Sequence, residues 1–519
     1  MATMRMDRRQ LLTGATAALA VPAAVQAQDN APAYSTGNAA WQAAYDKAMR
    51  ILAGNVQTMP RYDQPVLIEG ATYKGIWMEC GPHEALVYRK VRPDVARAAH
   101  MTFFTLQRPD GQLPANNKLT EAGFGQIQMV VPIAATAWEL AHATGDEALL
   151  QAAYDACGRW DAWLVKYRDT RGTGLTEGFC TYDTGHDNSP RWAGIPPQCP
   201  NKDARTFPPG YALPRLCPDL SATTYGARRA LAEMARALGK TSEADRWTDE
   251  AEVLRRTVLK TLYVAEDAAF YDLDADGKFV RVRGDILSRM CGEHVVDQSL
   301  FDDLWTRQLH NPKAFWTPYP LPSIAADDPA FVRPIPINSW GGASQALTAL
   351  RAGRWMDHYG RAAEFAQMMD AWGRAVVADM GFRQQMDPVI GQFTAGEPDY
   401  SPAALVMMDY TWRLAGITEQ PDDLHWNVRP DHAAADHARF AMTTDTGAIA
   451  EMRYDGKGAE LRLAGKAVAR IEGTARLVTT KDGKLSALTG IAEQPQEIVL
   501  RTLGSIRNFH LFGNQTVSL

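Results

Sequence analysis

The feature that most constrains this chain is a helical stripe that stops, turns and starts again. Leu149, Leu150, Ala153, Cys157, Trp160, Leu164 and Tyr167 recur at intervals near three and four, which puts them on one side of a helix. Thr144-Gly145-Asp146 ahead of them reads as a helix stop followed by an N-cap. The same grammar returns from Ser221 to Leu238, where Ala227, Leu231, Met234, Ala235 and Leu238 share a face. Gly239 ends that helix, and Thr241-Ser242 caps the next, which carries Ala244, Trp247, Ala251, Leu254 and Val258. Two such helices joined by a few residues form a helical hairpin. Further hairpins are predicted for Gln126 to His142 with the Asp146 helix, and for Ser344 to Arg354 with Gly360 to Val377. Split six ways, residues 30 to 425 give about 65 residues per unit, enough for two helices and a loop, so a ring of six hairpins fits the length. Periodicity alone fits a closed ring and an open solenoid equally well.

Beyond Pro421 the period changes from helix to strand. Ala459–Leu463, Ala467–Ile471, Ala475–Val478, Glu497–Leu503 and Asn508–Phe512 are short alternating runs separated by Asp-Gly and Gly turns. They predict a small antiparallel β domain over 426–519. It shows no aromatic stripe, so its expected role is packing against the helices.

The other end of the chain reads as an address. Arg8-Arg9 precede Leu11-Leu12 and a modest apolar run from Gly14 to Ala24, and Val25-Gln26-Ala27 supplies a small-x-small cleavage site. Residues 1–27 are therefore expected to be a twin-arginine export signal, giving a periplasmic or secreted protein. The run is too short and too interrupted for a membrane span. The mature protein, 28 onward, is expected to be free of membrane insertion. With 54 basic and 60 acidic side chains the net charge is −6, which argues against nucleic acid or anionic lipid as partner.

Six cysteines, at 80, 157, 180, 199, 217 and 291, show no CxxC spacing. Cys199 and Cys217 flank a Pro-rich loop and form the candidate disulfide, while Cys157 on an apolar stripe reads as a buried thiol. No cofactor or metal is expected. Asp272-x-Asp274-x-Asp276-Gly277 copies the start of a calcium loop, but Arg283 stands where the closing glutamate belongs, so a hairpin turn is the better reading. His83, Glu84, His186 and His294 lack metal-ligand spacing, and Gly341-Gly342 is too short for a phosphate loop.

Asp169 to Leu220, Tyr263 to Gly284 and His310 to Ser339 are long and poor in helix pattern, and loops of that length in a compact domain usually carry function. The densest polar cluster lies in the first: Gly174-Leu175-Thr176-Glu177, then Gly185-His186-Asp187-Asn188-Ser189-Pro190-Arg191-Trp192. A glycosidase needs one carboxylic acid to protonate the departing oxygen and a second carboxylate to activate water or attack the sugar. Asp187 suits the first role. An Asx turn suits Asp-Asn-Ser-Pro equally well, and the residues alone leave the two readings even.

This stretch resembles the Gly-Leu…Ser-Gly-x-Asp-(Asn/Phe)-Ser-x-Arg-Trp signature of glycoside hydrolase family 63, the mannosylglycerate-hydrolase-like proteins and the trehalases. Trp77-Met78-Glu79 resembles their early Trp-x-Asp segment. Gln107-x-x-Asp110-Gly111-x-Leu113-Pro114, Phe270-Tyr271-Asp272, Asn338-Ser339-Trp340 and Asp387-Pro388-x-x-Gly391 also fit, over roughly residues 70 to 415. The resemblance implies a mainly α protein, an (α/α)6 toroid of six helical hairpins, and an inverting hydrolase of an α-linked glycoside with Asp187 as general acid. It also implies an oligosaccharide or small glycoside as substrate. The candidate substrate-binding residues are Trp77, Glu79, Gln128, Glu177, Arg191, Trp340, Gln384 and Tyr400. One departure stands out. The resembling families carry a base glutamate four residues before the proline of their last motif; here Gln384 holds that place, and an amide is no base at neutral pH. Glu397 is the first substitute, followed by Glu79 and Glu177. Two rival readings remain: a polysaccharide lyase on the same toroid, recognised by unsaturated products, and a glycan binder that lost turnover with its base.

Overall fold

The computed structural model describes residues 31–519. The expected export signal falls on residues outside the described ones. Among the described residues there are twelve α-helices: α1 (Ala39–Gly54), α2 (Gly81–Tyr88), α3 (Pro93–Thr105), α4 (Ile133–Thr144), α5 (Glu147–Tyr167), α6 (Pro218–Ala237), α7 (Thr241–Leu262), α8 (Ile286–Gly292), α9 (Gln298–Leu304), α10 (Ala346–Arg351), α11 (Ala362–Asp379) and α12 (Ser401–Ala415).

The caps read from the sequence set several boundaries. Gly145 takes the left-handed conformation that ends α4, and the Asp146 carboxylate accepts from the Leu149 amide at 2.8 Å to start α5. Gly239 turns α6 into α7 in the same left-handed way. Helix α4 starts later than its sequence pattern suggests. Pro132 is its N-cap, and Gln126–Val131 runs ahead of it as irregular chain, fixed where the Ile127 amide donates to Asp183 Oδ1 and the Met129 amide to the Asp183 carbonyl.

The even-numbered helices form a circle. α2 packs on α4, α4 on α6, α6 on α8, and α8 on the turn that continues α10. α10 then packs on α12, and α12 returns to α2. That last contact decides between the ring and the solenoid. Around the outside, α3 lies on α2, α5 on α4, α7 on α6, and α1 and α11 on α12. Trp163, Trp355 and Trp372 are fully buried between the layers. Burying each side chain of that kind stabilises the fold by roughly 2–3 kcal/mol.

The long loops foreseen in the sequence all lead into even-numbered helices, and the contacts among them put them at one end of the ring. The Trp340 amide donates to the Asp187 carbonyl at 3.0 Å, Gly70 bridges Tyr400, and Tyr73 reaches Gln384. The Asp272–Gly277 stretch is a hairpin turn: Asp272–Leu273 pairs antiparallel with Phe279–Val280, with Gly277 at φ 76.

The C-terminal region forms two antiparallel sheets, of seven and five strands. Leu461, Ile471, Trp426, Leu477 and Leu488 are buried in one continuous core. The expected boundary at 425/426 cuts through a strand, Asp423–Val428, and the five-stranded sheet already begins at Ile417–Glu419. The N-terminal strand Ala33–Ser35 pairs with Arg439–Thr443 at the edge of the larger sheet. The β unit therefore borrows a strand from before α1, and it packs on α12.

Candidate active site

The loop end of the ring holds an unusual concentration of buried acid. Glu69, Glu79 and Glu84 are all buried, and Asp187 is part-buried beside them. Burial raises every one of these carboxyls. Asp187 moves up to about 6, with the Asn338 amide as counterweight. Glu79 moves up to about 7, burial being reinforced by the Asp187 charge and opposed by Arg351 and Arg289. Glu84 rises to about 7, and Glu69 well above the usual carboxylate range, by burial and by the Glu84 and Glu79 charges. Carboxyls pushed upward at the mouth of a ring are the groups from which acid catalysis is built.

Backbone geometry dictates how Asp187 and Glu79 come together. Gly185 sits at φ +63, and a Cβ there would lie 1.8 Å from Glu79 Oε2. Only glycine lets the Asp187 segment settle onto Glu79. Glu79 accepts a hydrogen bond from Gln128, while its Oε2 has no partner. Gln128 is buried and held by Gln126, whose Nε2 donates to Gln128 Oε1 at 2.9 Å.

Gln384 stands in the same place, tied in both directions. Its Oε1 accepts from the Tyr73 hydroxyl at 3.1 Å, and its Nε2 donates to Asn338 Oδ1 at 3.1 Å. Asn338 Nδ2 then donates to Asp187 Oδ2 at 3.3 Å. A chain of amides thus runs from Tyr73 to the candidate acid, and it needs Gln384 to be both acceptor and donor. The neighbouring Gln385 is structural: its Oε1 accepts from the Ser339 amide and from Gln345 Nε2.

Four sequence-nominated residues lie elsewhere than expected. Arg191 is 3% exposed and all five of its N–H donors are used. They go to Asp272 twice, Asp219 twice and His186 Nδ1, at 2.5–2.9 Å. It has no donor left for a sugar. It locks the acid segment onto α6 and the Asp272 hairpin instead, with His186 Nε2 bonded in turn to Asp285 at 2.5 Å. Burial and the Arg289 charge lower the His186 imidazole to about 4, so it is neutral at pH 7. Glu177 is fully buried and engaged by Thr170 and Arg171, closing the turn before the acid segment. Tyr400 is fully buried and donates to Glu69 rather than bounding an open pocket. Glu397, the first substitute base, is exposed on the loop before α12. Its neighbours Gly396, Pro398 and Asp399 are exposed too, so it is not among the buried carboxylates.

Trp340 is buried against Cys80 and Leu347 and lies 5.2 Å from the His186 ring, packed beside the acid segment rather than in an open wall. Trp77 is part-exposed, edge-on to Tyr73 at 5.8 Å, and these two rings form the accessible aromatic wall. Glu69 and Tyr73 were absent from the sequence reading. They flank a tight turn at Gly70 and belong to no motif, so only their packing against α12 and Gln384 reveals them.

The expected Cys199–Cys217 pair does not form. Cys217 Sγ is directed at the Arg215 carbonyl, and Cys199 Sγ lies 3.7 Å from Cys180 Sγ. The Pro-rich loop folds back on the start of the acid segment, so sequence proximity to Cys217 was the wrong guide.

Solved structures share the helical architecture. A family 63 mannosylglycerate hydrolase from Thermus thermophilus, in complex with Tris, superposes with a TM-score of 0.57 at 19% identity, covering 71% of this chain and 100% of that one. The neutral trehalase of Saccharomyces cerevisiae gives 0.51 at 12% identity, over 70% and 79%. A family 78 rhamnosidase from Bacillus sp. GL1 gives 0.54 at 13% identity, over 84% and 41%. No curated protein matches the chain. Residues 73–412 match the mannosylglycerate hydrolase MGH1-like glycoside hydrolase domain, and the chain belongs to that family.

Proposed function

We propose that this glycoside hydrolase cleaves an α-linked glycoside with inversion at the anomeric carbon, outside the cytoplasm, on an (α/α)6 toroid. The observation that carries the proposal is the pairing of Asp187 with Glu79 across Gly185, both raised, one near 6 and the other near 7. A sugar entering past Trp77 and Tyr73 would bring its glycosidic oxygen to Asp187. The protonated Asp187 carboxyl gives its proton to that oxygen as the bond to the anomeric carbon breaks. Glu79, ionised, takes a proton from the attacking water. Inversion needs room for that water, with the two carboxyls separated by roughly 6.5 to 9.5 Å.

Between pH about 6 and about 7 the pair holds a single proton, mostly on Glu79; the form that acts, with the proton on Asp187 and Glu79 ionised, is the minor tautomer, roughly a tenth of it. The expected rate profile is therefore a narrow bell centred between those values. Asn338 holds Asp187 in place, and Gln384 holds Asn338. Gln384 favours a second reading, a glycan binder without turnover, since no base stands at that position. The two separate on long incubation with a panel of α-glucosides, α-mannosides, trehalose and glucosylglycerate: the enzyme releases sugar, whereas a binder gives heat on titration and releases none.

A further inference from the structure

We infer that Cys180 and Cys199 are a covalent cross-link site, whose closure staples the two ends of the segment that carries Asp187. The two Sγ atoms lie 3.7 Å apart, and both side chains are buried, packed with Phe179 in a small cluster of their own. Closing the 3.7 Å gap to a disulfide's roughly 2.05 Å takes a shift of about 1.7 Å, whereas Cys217 is turned away toward the Arg215 carbonyl. Asp187 lies between the two cysteines in sequence. A bond there closes a loop that contains Gly185, Asp187 and Arg191.

The surroundings favour a disulfide over a metal ion. Asp183, the nearest carboxylate, has both oxygens occupied. Oδ1 accepts from the Ile127 amide and Arg168 Nη2, and Oδ2 from Arg168 Nη1 and the Phe179 and Cys180 amides. The Arg168 guanidinium fills the space beside the sulfurs and repels a cation. The same guanidinium lies 3.8 Å from Cys199 Sγ and offers a counter-charge to the thiolate that attacks during exchange. Cys199 is also the slightly more accessible of the two, at 4% against 0%. It is the attacking sulfur.

The step balances with a small disulfide such as oxidised glutathione as oxidant. The Cys199 thiolate attacks one sulfur of the oxidant, forming a mixed disulfide and expelling a thiolate that takes up the Cys199 proton. Cys180 Sγ then displaces the second glutathione from Cys199 and gives up its own proton. The two cysteines lose two electrons, and one oxidant disulfide becomes two thiols.

The test is made on the full mature protein, folded, treated with oxidised glutathione and then alkylated in denaturant. Trypsin places Cys180 in the peptide 172–191, Cys199 in 192–202 and Cys217 in 216–228. The expected result is one new species, lighter than the sum of the first two peptides by two hydrogens, with Cys217, Cys157 and Cys291 fully alkylated. The oxidised protein is expected to melt at a higher temperature than the reduced one, and the difference to vanish in Cys180→Ser. Full alkylation of Cys180 and Cys199 after oxidation overturns the inference, as does a 199–217 link. The peptide map on unmodified protein decides even if Cys180→Ser does not fold, and it stands whether or not the proposed hydrolysis is confirmed.

Discussion

Replacing Gln384 by glutamate is the perturbation that separates a lost base from a working amide. If this position is a base that has decayed, Gln384→Glu restores a carboxylate where the related families carry one, and activity rises. The hydrogen bonds predict the opposite. Gln384 Nε2 donates to Asn338 Oδ1, so a carboxylate there puts two acceptors face to face. An acceptor stranded in a part-buried site costs about 1–3 kcal/mol. Asn338 is then free to turn over and withdraw the donor it directs at Asp187. The new charge also acts at a distance. Through one intervening amide it stands about 8 Å from the Asp187 carboxyl, where an effective dielectric near 20 gives about 2 kcal/mol. That is about 1.5 pKa units upward on Asp187. Two assays read this. Carboxyl-labelled aspartate NMR, differenced against Asp187→Asn, is expected to show the Asp187 titration moving from about 6 toward 7.5. The raised Asp187 keeps its proton at pH 6.5, so any fall comes from orientation: with Asn338 turned away, steady-state rates are expected to drop about tenfold. A rise in kcat in Gln384→Glu would falsify the account of this residue.

Other outcomes follow from the same geometry. Asp187→Asn is expected to lower turnover by about 10²–10⁴-fold or more with an unchanged circular dichroism spectrum; near-normal activity refutes its role as acid. Gly185→Ala puts a methyl group 1.8 Å from Glu79 Oε2 and is expected to abolish activity and lower the Tm, and an active, stable variant contradicts the packing described. Arg191→Met strands two buried carboxylates, Asp219 and Asp272, and is expected to destabilise the fold by about 3–5 kcal/mol in urea unfolding; a change within about 0.5 kcal/mol refutes its locking role. Glu79 has a folded pKa above its unfolded value, so the unfolded chain binds fewer protons between pH about 4.5 and about 7, and stability falls as pH rises through that window. The loss from this group is about 3 kcal/mol, and Glu79→Gln is expected to flatten the slope; an unchanged slope shows that other groups cause it.

Much of the fold was legible because helix chemistry is local. The Gly145-Asp146 stop and cap and the Gly239 turn stand in the structure where the residues put them. Closure of the ring was not legible from periodicity, because it rests on α12 meeting α2 across more than three hundred residues. The edge strand Ala33–Ser35 was hidden for the same reason: a three-residue strand carries too little alternation to register. In the site, Asp187 could be read because its motif is contiguous, and Gln384 because its absence from pattern was itself a signal. Arg191 was misassigned because an arginine beside an acid reads the same whether it binds substrate or saturates buried aspartates supplied from elsewhere in the chain. Glu69 and Tyr73 left no signal at all, since their partners Tyr400 and Gln384 lie more than three hundred residues away.

The most direct measurement is proton NMR of the purified protein with the α-glycoside panel, recording the anomeric region from the first minutes, with Asp187→Asn as control. The account predicts that the β-anomer of the released sugar appears first from an α-linked substrate, with mutarotation following, and that the variant releases none. The α-anomer appearing first, or equal release by Asp187→Asn, would contradict it.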